Sequence, residues 1–237
     1  MCLVFLAFQS DADFPVLLGA NREEARSRPT TPPVCVRSGK LRCVLAGADH
    51  GPDGSFTRLG TWLGVNEAGM VVAVTNRRDS ELAPPEQTRS RGWLTVSLLG
   101  FDEPQVAARF AQEELSQGGY GGCNYLIVNR RSALVVRAPG AKQVSVQGLS
   151  PGIHAMTNLD VDDPDDPRVR FVHETLEPER FIDSARRICR DERVVIRGGD
   201  RGTVSSSLVL VGDEIRFHHL NGDPAAGEYE EVGTFIR

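Results

Sequence analysis

The chain has little that would direct it to nucleic acid or to a membrane. Its 237 residues carry a net charge of −5 and contain no run of five or more Lys and Arg. The positive patch that DNA, RNA or an anionic membrane surface requires is therefore missing. No apolar stretch approaches the roughly 20 residues of a membrane-spanning helix. We expect a small-molecule substrate or ligand, no nucleic-acid partner and no integral membrane association, and the oligomeric state stays open.

Cysteine is also scarce and irregularly spaced. The five cysteines form an odd set without a CxxC pair, namely Cys2, Cys35, Cys43, Cys123 and Cys189. This pattern predicts neither a zinc site nor a disulfide framework, so we expect no metal and a reducing, cytoplasmic location. No secretory signal is expected either, because the opening apolar run lacks a basic segment before it and ends at Gln9.

The apolar residues that are present predict a buried hairpin at the start of the chain. Residues 2–8 and 15–20 are apolar without alternation, which is typical of strands covered on both faces, and the turn-rich QSDADF separates them. An antiparallel register centred on this turn pairs Phe8 with Val16, Val4 with Ala20 and Cys2 with Arg22. Cys2 is thereby predicted to lie beside the polar end of the second strand.

The rest of the chain alternates between strand and helix patterns. Short strands are expected at 33–37 and 41–47, and TWLGVN and MVVAVTN form a further hairpin around EAG. Helices are expected over 90–117, where Ser90 is a candidate cap and Pro104 lies in the first turn of a second helix, and over 167–190, as one broken helix or two. Four strands between these helical segments and three after residue 203 complete the pattern. This order predicts an α+β fold with two packed sheets flanked by helices, in a single domain over 1–237.

Cys2 is the first candidate for chemistry. If Met1 is removed, Cys2 presents a nucleophilic thiol and a free α-amine with a reference pKa of about 7.7–8.0, which can accept the thiol proton near neutral pH. With Met1 attached, that base is lost. The alternative is a thiol that only fills a strand, because cysteine is among the most often buried residue types.

Three further stretches place polar side chains at strand ends. Arg22, in GANREEARSRPT, would favour a thiolate at Cys2 and bind an anionic or carbonyl-bearing substrate, unless this cluster is only a solvated strand end. Asn76, at the exit of a buried strand, can donate its amide to a developing oxyanion. Asn66 before Gly69 fits a turn, and Asn158 in HAMTNLD also has a turn as its alternative.

Several motifs in a fixed order resemble those of a known family. The motifs MC, LGANREEARSRPT, GTWLGVNEAGMVVAVTN, SRG, GGCNYLIVN, TNLD and GTVSSSLVLV are similar to those of the NRDE family, which includes the transport and Golgi organisation protein 2 proteins. That family resembles in turn the N-terminal nucleophile hydrolases of the penicillin V acylase and bile salt hydrolase type. The resemblance covers nearly the whole chain and implies a four-layer αββα sandwich.

The resemblance also implies roles for single residues. It makes Cys2 the candidate nucleophile, Arg22 its neighbour, Asn76 the oxyanion-hole amide and Asn158 a second substrate-facing amide. Candidate substrate-binding residues are Asn21, Glu23, Asn66 and Arg77. The activity it implies is hydrolysis of a linear amide C–N bond, with no cofactor required.

Two residues depart from the family pattern. Glu23 stands where the family name has Asp, which adds a methylene and shifts where the carboxylate reaches. Val204 in GTVSSS stands where the family has Arg, and Arg201 cannot be assumed to replace that cation. Both departures affect expected substrate contacts.

The alternative function is a carrier that uses the same pocket without turnover. The resembled family is linked to haem trafficking and, more loosely, to lipid or acyl-CoA metabolism, so haem is the leading candidate ligand. The histidines show no ligand spacing; they are His50, His154, His173, His218 and His219. His218 and His219 would point to opposite faces of a strand, so at most one of them can face a given pocket.

Overall fold

The computed structural model describes residues 2–28, 30–49, 59–79 and 89–236, with side chains up to residue 232. The chain divides into two compact units, one formed by Met1–Arg28 and Ser150–Arg237 and the other by Pro29–Leu149. Each unit is described by itself, and the single domain over 1–237 stays a prediction. The predicted turn around His50 lies largely outside the described residues.

The first unit contains a seven-stranded antiparallel sheet and two helices. Its strands are β1 (Leu3–Phe8), β2 (Val16–Ala25), β10 (Gly152–Met156), β11 (Arg197–Gly198), β12 (Arg201–Val211), β13 (Glu214–Asn221) and β14 (Glu230–Ile236), and its helices are α3 (Pro167–Thr175) and α4 (Phe181–Arg190). The strand order is β10-β1-β2-β12-β13-β14, and β11 pairs with β12. The predicted opening hairpin therefore lies inside the sheet, between β10 and β12.

One face of this sheet forms the core with the helices. Leu3, Phe5 and Ala7 alternate along β1 and belong to the same buried cluster as Phe171 of α3 and Ile188 of α4. Because successive side chains of a strand point to opposite faces, Cys2, Val4 and Leu6 belong to the other face. We call the first face the helix face and the second the opposite face.

Local sequence signals explain the helix starts in this unit. Pro167 occupies the first turn of α3, and the Asp166 side chain accepts a hydrogen bond from the Arg168 amide. These are the residue types that favour a helix N-terminus, since the proline needs no hydrogen-bond partner and the carboxylate binds an otherwise unpaired amide. The predicted helical stretch 167–190 is thus two helices, separated by a 3₁₀ turn at Pro178–Arg180.

The described residues of the second unit form another seven-stranded antiparallel sheet and two α-helices. Its strands run in the order β3 (Val34–Ser38), β4 (Leu41–Leu45), β5 (Leu63–Asn66), β6 (Val71–Asn76), β7 (Cys123–Val128), β8 (Ala133–Ala138) and β9 (Ser145–Leu149). The helices are α1 (Arg91–Leu98) and α2 (Pro104–Ser116). Ser90 caps α1 as predicted, because its side chain accepts a hydrogen bond from the Trp93 amide.

Short turns join β3 to β4, β5 to β6, β7 to β8 and β8 to β9 in this second sheet, whereas α1 and α2 lie between β6 and β7. Gly69 adopts φ +78° in the turn between β5 and β6, a conformation that favours glycine. The EAG hairpin predicted from the sequence is therefore confirmed. Within the described part of the chain, no helix has both the length and the apolar character needed to cross a membrane.

Candidate functional site

The opening hairpin determines where Cys2 lies. Val4 pairs with Ala20 and Phe8 with Val16, which confirms the predicted register, and the last printed pair is Leu3 with Asn21. One further step of this register brings Cys2 opposite Arg22. Cys2 is 8% exposed and Arg22 is 4% exposed, so both lie at a buried end of the sheet.

Asn158 follows β10, the other strand that neighbours β1. Val4 of β1 pairs with Met156 of β10, where β10 ends, and Asn158 lies two residues further along the chain. Thr157, which faces the other way, donates a hydrogen bond from Oγ1 to Asp166 Oδ2 at 2.6 Å. This bond ties the segment to the N-terminus of α3, and the neighbouring Asn158 is buried.

Two residues at this sheet end were missed by the sequence analysis. Ser205 of β12 pairs with Arg22 of β2 and with Asn221 of β13. Arg22, Ser205 and Asn221 thus form a cross-strand row on the opposite face. Cys2, directly before β1, and Asn158, two residues after β10, lie at the same end of the sheet. We call this set the polar row: Asn158, Cys2, Arg22, Ser205 and Asn221. The sequence signal that could have indicated Ser205 was the serine run Ser205–Ser207 directly before the apolar end of β12.

Asn21 belongs to the helix face, away from the polar row. Its Nδ2 donates to the carbonyl oxygen of Cys189 on α4 at 2.9 Å. Ser206, which pairs with Asn21, lies with its Oγ 2.7 Å from the Tyr229 hydroxyl. The side-chain amide of Asn21 thus links β2 to α4. The substrate-binding role of Asn21 stays a prediction.

Electrostatics keep the Cys2 thiol protonated. Burial raises the pKa of Cys2 to about 11, and the negative charge of Glu23 acts in the same direction. The charge of the chain's N-terminal ammonium, the backbone amide of Glu23 and the Arg22 guanidinium lower this pKa. Arg22 thus acts in the predicted direction, but burial outweighs it. In this state the thiol is a weak nucleophile at neutral pH, because the thiolate is the reactive form.

Glu23 also influences a second buried thiol. Burial raises the pKa of Cys189 to about 11, and the charge of Glu23 raises it further. Glu23 is itself 4% exposed. Its carboxylate is thus within electrostatic range of both Cys2 and Cys189, and its substrate-binding role stays a prediction.

The departure at Val204 coincides with an irregularity in the sheet. The pairing of β12 with β2 shifts register between Thr203 and Ser205, so that Val204 is the extra residue of a bulge. Arg201 lies further along β12, and its guanidinium forms an ion pair with Glu24 at 3.1 Å. Arg201 is therefore engaged outside the polar row.

In the second unit, the side-chain amide of Asn66 forms hydrogen bonds with three backbone groups. Its Nδ2 donates to the carbonyl oxygens of Leu99 at 2.9 Å and Phe101 at 2.6 Å. Its Oδ1 accepts from the Met70 amide at 2.9 Å. These bonds close the turn between β5 and β6 and join it to the end of α1. The predicted turn at Asn66 is therefore confirmed. A substrate role for Asn66 stays a prediction.

Asn76 and Arg77 follow one another at the end of β6. Asn76 pairs with Cys123 of β7. The Arg77 side chain is 1% exposed and donates to the Asp79 carboxylate at 2.8 and 2.6 Å and to Asn124 Oδ1 at 2.9 Å. The Arg77 guanidinium thus has structural partners in its own unit, while the oxyanion role of Asn76 and the substrate role of Arg77 stay predictions.

Potential metal ligands do not gather in the described residues. No group of three or more His, Cys, Asp and Glu side chains there is arranged to hold a metal ion. Asp162 lies between two imidazoles as a hydrogen-bond partner, with its Oδ2 2.6 Å from His154 Nδ1 and its Oδ1 3.2 Å from His173 Nε2.

Comparisons with known proteins identify a matching sequence family and several similar folds. The sequence model of the family described as Transport and Golgi organisation 2 matches residues 1–193. A curated human protein, the Transport and Golgi organization protein 2 homolog, is 26% identical over 174 residues, which are 69% of this chain and 59% of the relative. The chain thus spans about six tenths of the length of that relative.

Three solved structures with similar folds carry enzyme names. A mutant conjugated bile acid hydrolase from Clostridium perfringens has a TM-score of 0.51 at 12% identity, covering 98% of this chain and 97% of its own. Penicillin V acylase from Agrobacterium tumefaciens has a TM-score of 0.57 at 11% identity, with 98% and 91% covered. An N-acylethanolamine-hydrolyzing acid amidase ortholog from Caenorhabditis elegans has a TM-score of 0.54 at 13% identity, with 100% of both chains covered.

These likenesses establish the fold. The neighbours are N-terminal nucleophile hydrolases with the αββα fold, and the described residues of this chain form two antiparallel sheets and four α-helices. The predicted fold class is therefore confirmed.

Proposed function

The chain belongs to the Transport and Golgi organisation 2 family, and from this membership and the surroundings of Cys2 we propose that it is a cysteine amidohydrolase that cleaves linear amide C–N bonds. The nucleophile is the Cys2 thiol, and the substrate is a small molecule. Hydrolase, acylase and amidase are the words in the names of the similar structures, which agrees with a reaction on an acyl–nitrogen bond.

One observation carries the proposal. Cys2 directly precedes the apolar strand β1, at the sheet end where Arg22 of β2 and Asn158, which follows β10, also lie. A guanidinium and a carboxamide are the donors that bind a polarised carbonyl oxygen or an anionic substrate group. A cysteine with only a packing role does not need such neighbours.

The proposed reaction has two steps. Cys2 Sγ attacks the amide carbonyl carbon, and the thiol proton passes to the Cys2 α-amine and then to the leaving nitrogen, which departs as an amine. The acyl group is now a thioester on Cys2. Water, deprotonated by the same α-amine, attacks the thioester carbonyl, so a carboxylic acid leaves and the thiol is restored.

This reaction depends on removal of Met1. While Met1 is attached, the Cys2 nitrogen is an amide without a basic lone pair, and the thiol has a pKa of about 11. The freed α-amine has a reference pKa of about 7.7–8.0 and lies on the same residue as the thiol. Processing therefore supplies the base and converts a dormant thiol into a nucleophile.

The test compares one protein before and after exposure of Cys2. The chain is produced behind a leader whose proteolytic removal leaves Cys2 as the first residue, and uncut protein is the matched control. Both forms are incubated with acyl p-nitroanilides of short, medium and long chains, and intact-mass spectrometry follows acylation. We expect a mass increase equal to the acyl group and release of p-nitroaniline in the cut form only.

Two variants separate the Cys2 reaction from background. Cys2→Ala must abolish acylation, whereas Cys35→Ser removes the exposed thiol and must leave turnover intact. Acylation of uncut protein at the cut rate, or of cut Cys2→Ala, contradicts the proposal. If no amide is acylated and haem added to the same protein gives a stoichiometric shift of its Soret band, the carrier function replaces the hydrolase.

A further inference from the structure

His154 binds two acceptors at one edge of the first sheet. It lies in β10, the first strand in the sheet order, and pairs with Leu6 of β1, so its side chain belongs to the opposite face. His154 Nδ1 lies 2.6 Å from Oδ2 of Asp162, and His154 Nε2 lies 2.8 Å from the carbonyl oxygen of Ser150. One imidazole therefore joins the segment before β10 to the segment after it.

The two partners determine how many hydrogens the ring carries. A carbonyl oxygen and an ionised carboxylate can only accept hydrogen bonds. Burial acts to raise the pKa of Asp162, but the bond to His154 and further hydrogen bonds hold it below 3.8, so this carboxylate is ionised. Both ring nitrogens must then donate, and His154 is an imidazolium in this arrangement. The pKa of His154, which the Asp162 hydrogen bond raises against the effect of burial, agrees with that state.

Asp162 closes the loop that carries Asn158. Its backbone amide donates to the carbonyl oxygen of Ala155 at 2.8 Å, and its Oδ1 accepts from the Ala155 amide at 2.8 Å. The chain thus leaves β10 after Met156, passes through buried Asn158 and returns to β10 at Asp162. Asp162 adopts φ +56°, which is uncommon for a residue other than glycine. The bonds of its carboxylate and amide therefore hold the chain in a conformation that is unfavourable by itself.

Charged and titratable groups reach this imidazole from two elements. From the loop after β10 the group is Asp162, and from α3 it is His173, whose Nε2 lies 3.2 Å from Asp162 Oδ1. From β1 the paired neighbour is uncharged Leu6. The His154 side chain is 13% exposed and the His173 side chain 39%. His154 is thus the better shielded of the two partners of Asp162.

Loss of one ring proton leaves a single hydrogen for two acceptors. This hydrogen stays on Nδ1, because a carboxylate is a stronger acceptor than a carbonyl group. Nε2 then presents a lone pair to the Ser150 carbonyl oxygen, and this end of β10 is released. The bond to Asp162 remains but is no longer between two charges, so the return of the chain to Ala155 is weakened as well.

We propose that His154 is a proton-dependent latch that fixes Ser150 and Asp162 on either side of β10 and thereby positions Asn158. In the protonated state the loop that carries Asn158 is closed by the bonds of Asp162. In the neutral state the same loop opens more often, because fewer contacts oppose its local unfolding. The effect on a substrate that contacts Asn158 rests on the proposed function, whereas the latch does not.

NMR of protein that retains Met1 tests the latch directly. In a His173→Gln background, the His154 ring nitrogens, the Gly152 amide and the Asn158 carboxamide are followed between about pH 5.5 and 9. We expect all three to share one midpoint above 6.5, with the remaining ring hydrogen on Nδ1. A ring that titrates while the other two signals stay constant overturns the proposal, and so does a ring that keeps its hydrogen on Nε2.

Two variants provide the controls. In His154→Gln the Gly152 and Asn158 signals should lose this transition, which separates it from titration of the Met1 amine in the same pH range. A transition that persists unchanged in His154→Gln overturns the latch. Asp162→Asn removes the charge beside Nδ1 and should lower the His154 midpoint. An unchanged midpoint contradicts the part assigned to Asp162.

A ratio of rates connects the latch to the proposed hydrolase. In cut protein that turns over an acyl p-nitroanilide, kcat/KM of wild type is divided by that of His154→Gln at each pH, which cancels the titration of the Cys2 amine. We expect this ratio to fall about two- to tenfold as pH rises through the His154 midpoint, as for the loss of one hydrogen bond. A constant ratio overturns the positioning of Asn158. If no form turns over, the hydrolase fails, and the NMR midpoints still decide the latch.

Discussion

The ring of Phe5 occupies the space above Gly19. The two residues are directly paired between β1 and β2, and a Cβ built on Gly19 would overlap the Phe5 ring atoms. Both sites lie in the buried part of the opening hairpin. Glycine at this position is therefore required by the phenylalanine opposite, and the pair fixes the packing of the hairpin that ends at Cys2.

Substitution of Gly19 by alanine should destabilise the protein. Overpacking of a well-packed core costs roughly 1–3 kcal/mol of unfolding free energy, and urea denaturation measures it. Gly148→Ala is the matched control, because its nearest side-chain neighbour would be 4.0 Å away. Phe5→Leu should recover part of the loss in the double variant. A Gly19→Ala protein as stable as wild type would contradict this packing.

Asp162 should make stability depend on pH through His154. The Asp162 hydrogen bond raises the pKa of His154 above 6.5, against the effect of burial. A pKa raised on folding contributes stability that is fully present below the unfolded value near 6.5 and is lost as pH rises through the folded pKa. The stability difference between wild type and His154→Gln should thus be larger at pH 5.5 than at pH 9.

Urea unfolding across that range provides the measurement. Burial acts to raise the pKa of Asp162, but the bond to His154 and other hydrogen bonds hold it below 3.8, so the carboxylate stays charged throughout the window. Asp162→Asn removes the charge and should flatten the same pH dependence. A constant difference between wild type and His154→Gln from acid to alkaline pH would show that the pair does not contribute in this way.

Thiol reactivity should follow burial. In the form that retains Met1, only Cys35 is exposed among the five cysteines. Burial raises the pKa to about 11 for Cys43 and to about 12 for Cys123, so these thiols are protonated near neutral pH. We expect iodoacetamide to alkylate one thiol rapidly, and none in Cys35→Ser.

Exposure of the Cys2 amine should change this result. The cut form of Cys35→Ser should gain one rapidly alkylated thiol, located at Cys2 by peptide mass spectrometry. The reason is the ammonium group that replaces an amide beside the sulfur and stabilises the thiolate. Equal rates for the cut and uncut forms would mean that the new amine does not influence the thiol.

Asn66 should contribute to stability through its three backbone contacts. Asn66→Ala leaves the buried Met70 amide and the carbonyls of Leu99 and Phe101 without this partner, which should cost about 1–3 kcal/mol. Asn66→Asp should cost more, since a carboxylate would face two carbonyl oxygens. Thermal unfolding measures both. Unchanged stability together with a raised KM would instead favour the predicted substrate role.

Much of the local structure was predictable because it depends on near neighbours in sequence. The QSDADF turn and two unbroken apolar runs sufficed for the register that pairs Val4 with Ala20. Ser90 and Pro104 marked the starts of α1 and α2, since an N-cap oxygen and a ring without an amide hydrogen suit a first helical turn.

The composition of the polar row was only partly predictable. Cys2, Arg22 and Asn158 were identified from strand ends and motifs, whereas Ser205 and Asn221 were not, because polar residues within or at the end of a strand have no local signature of a site. His219 was considered only as a haem ligand. Its ring bonds to Ser207 and Asn221. The bond to Ser207 depends on which strand lies beside β13, and a single strand pattern does not contain that information.

The sequence by itself determined the strands and helices, the opening hairpin and the candidate nucleophile. Each of these follows from hydrophobic periodicity, turn residues or a motif within about 25 residues. Only the tertiary structure decided that β12 lies beside β2, so that Ser205 joins Arg22, and that burial outweighs Arg22 at the Cys2 thiol. Strand neighbours so distant in sequence are selected by how whole apolar faces pack together, and the pKa of a thiol depends on how much water that packing removes.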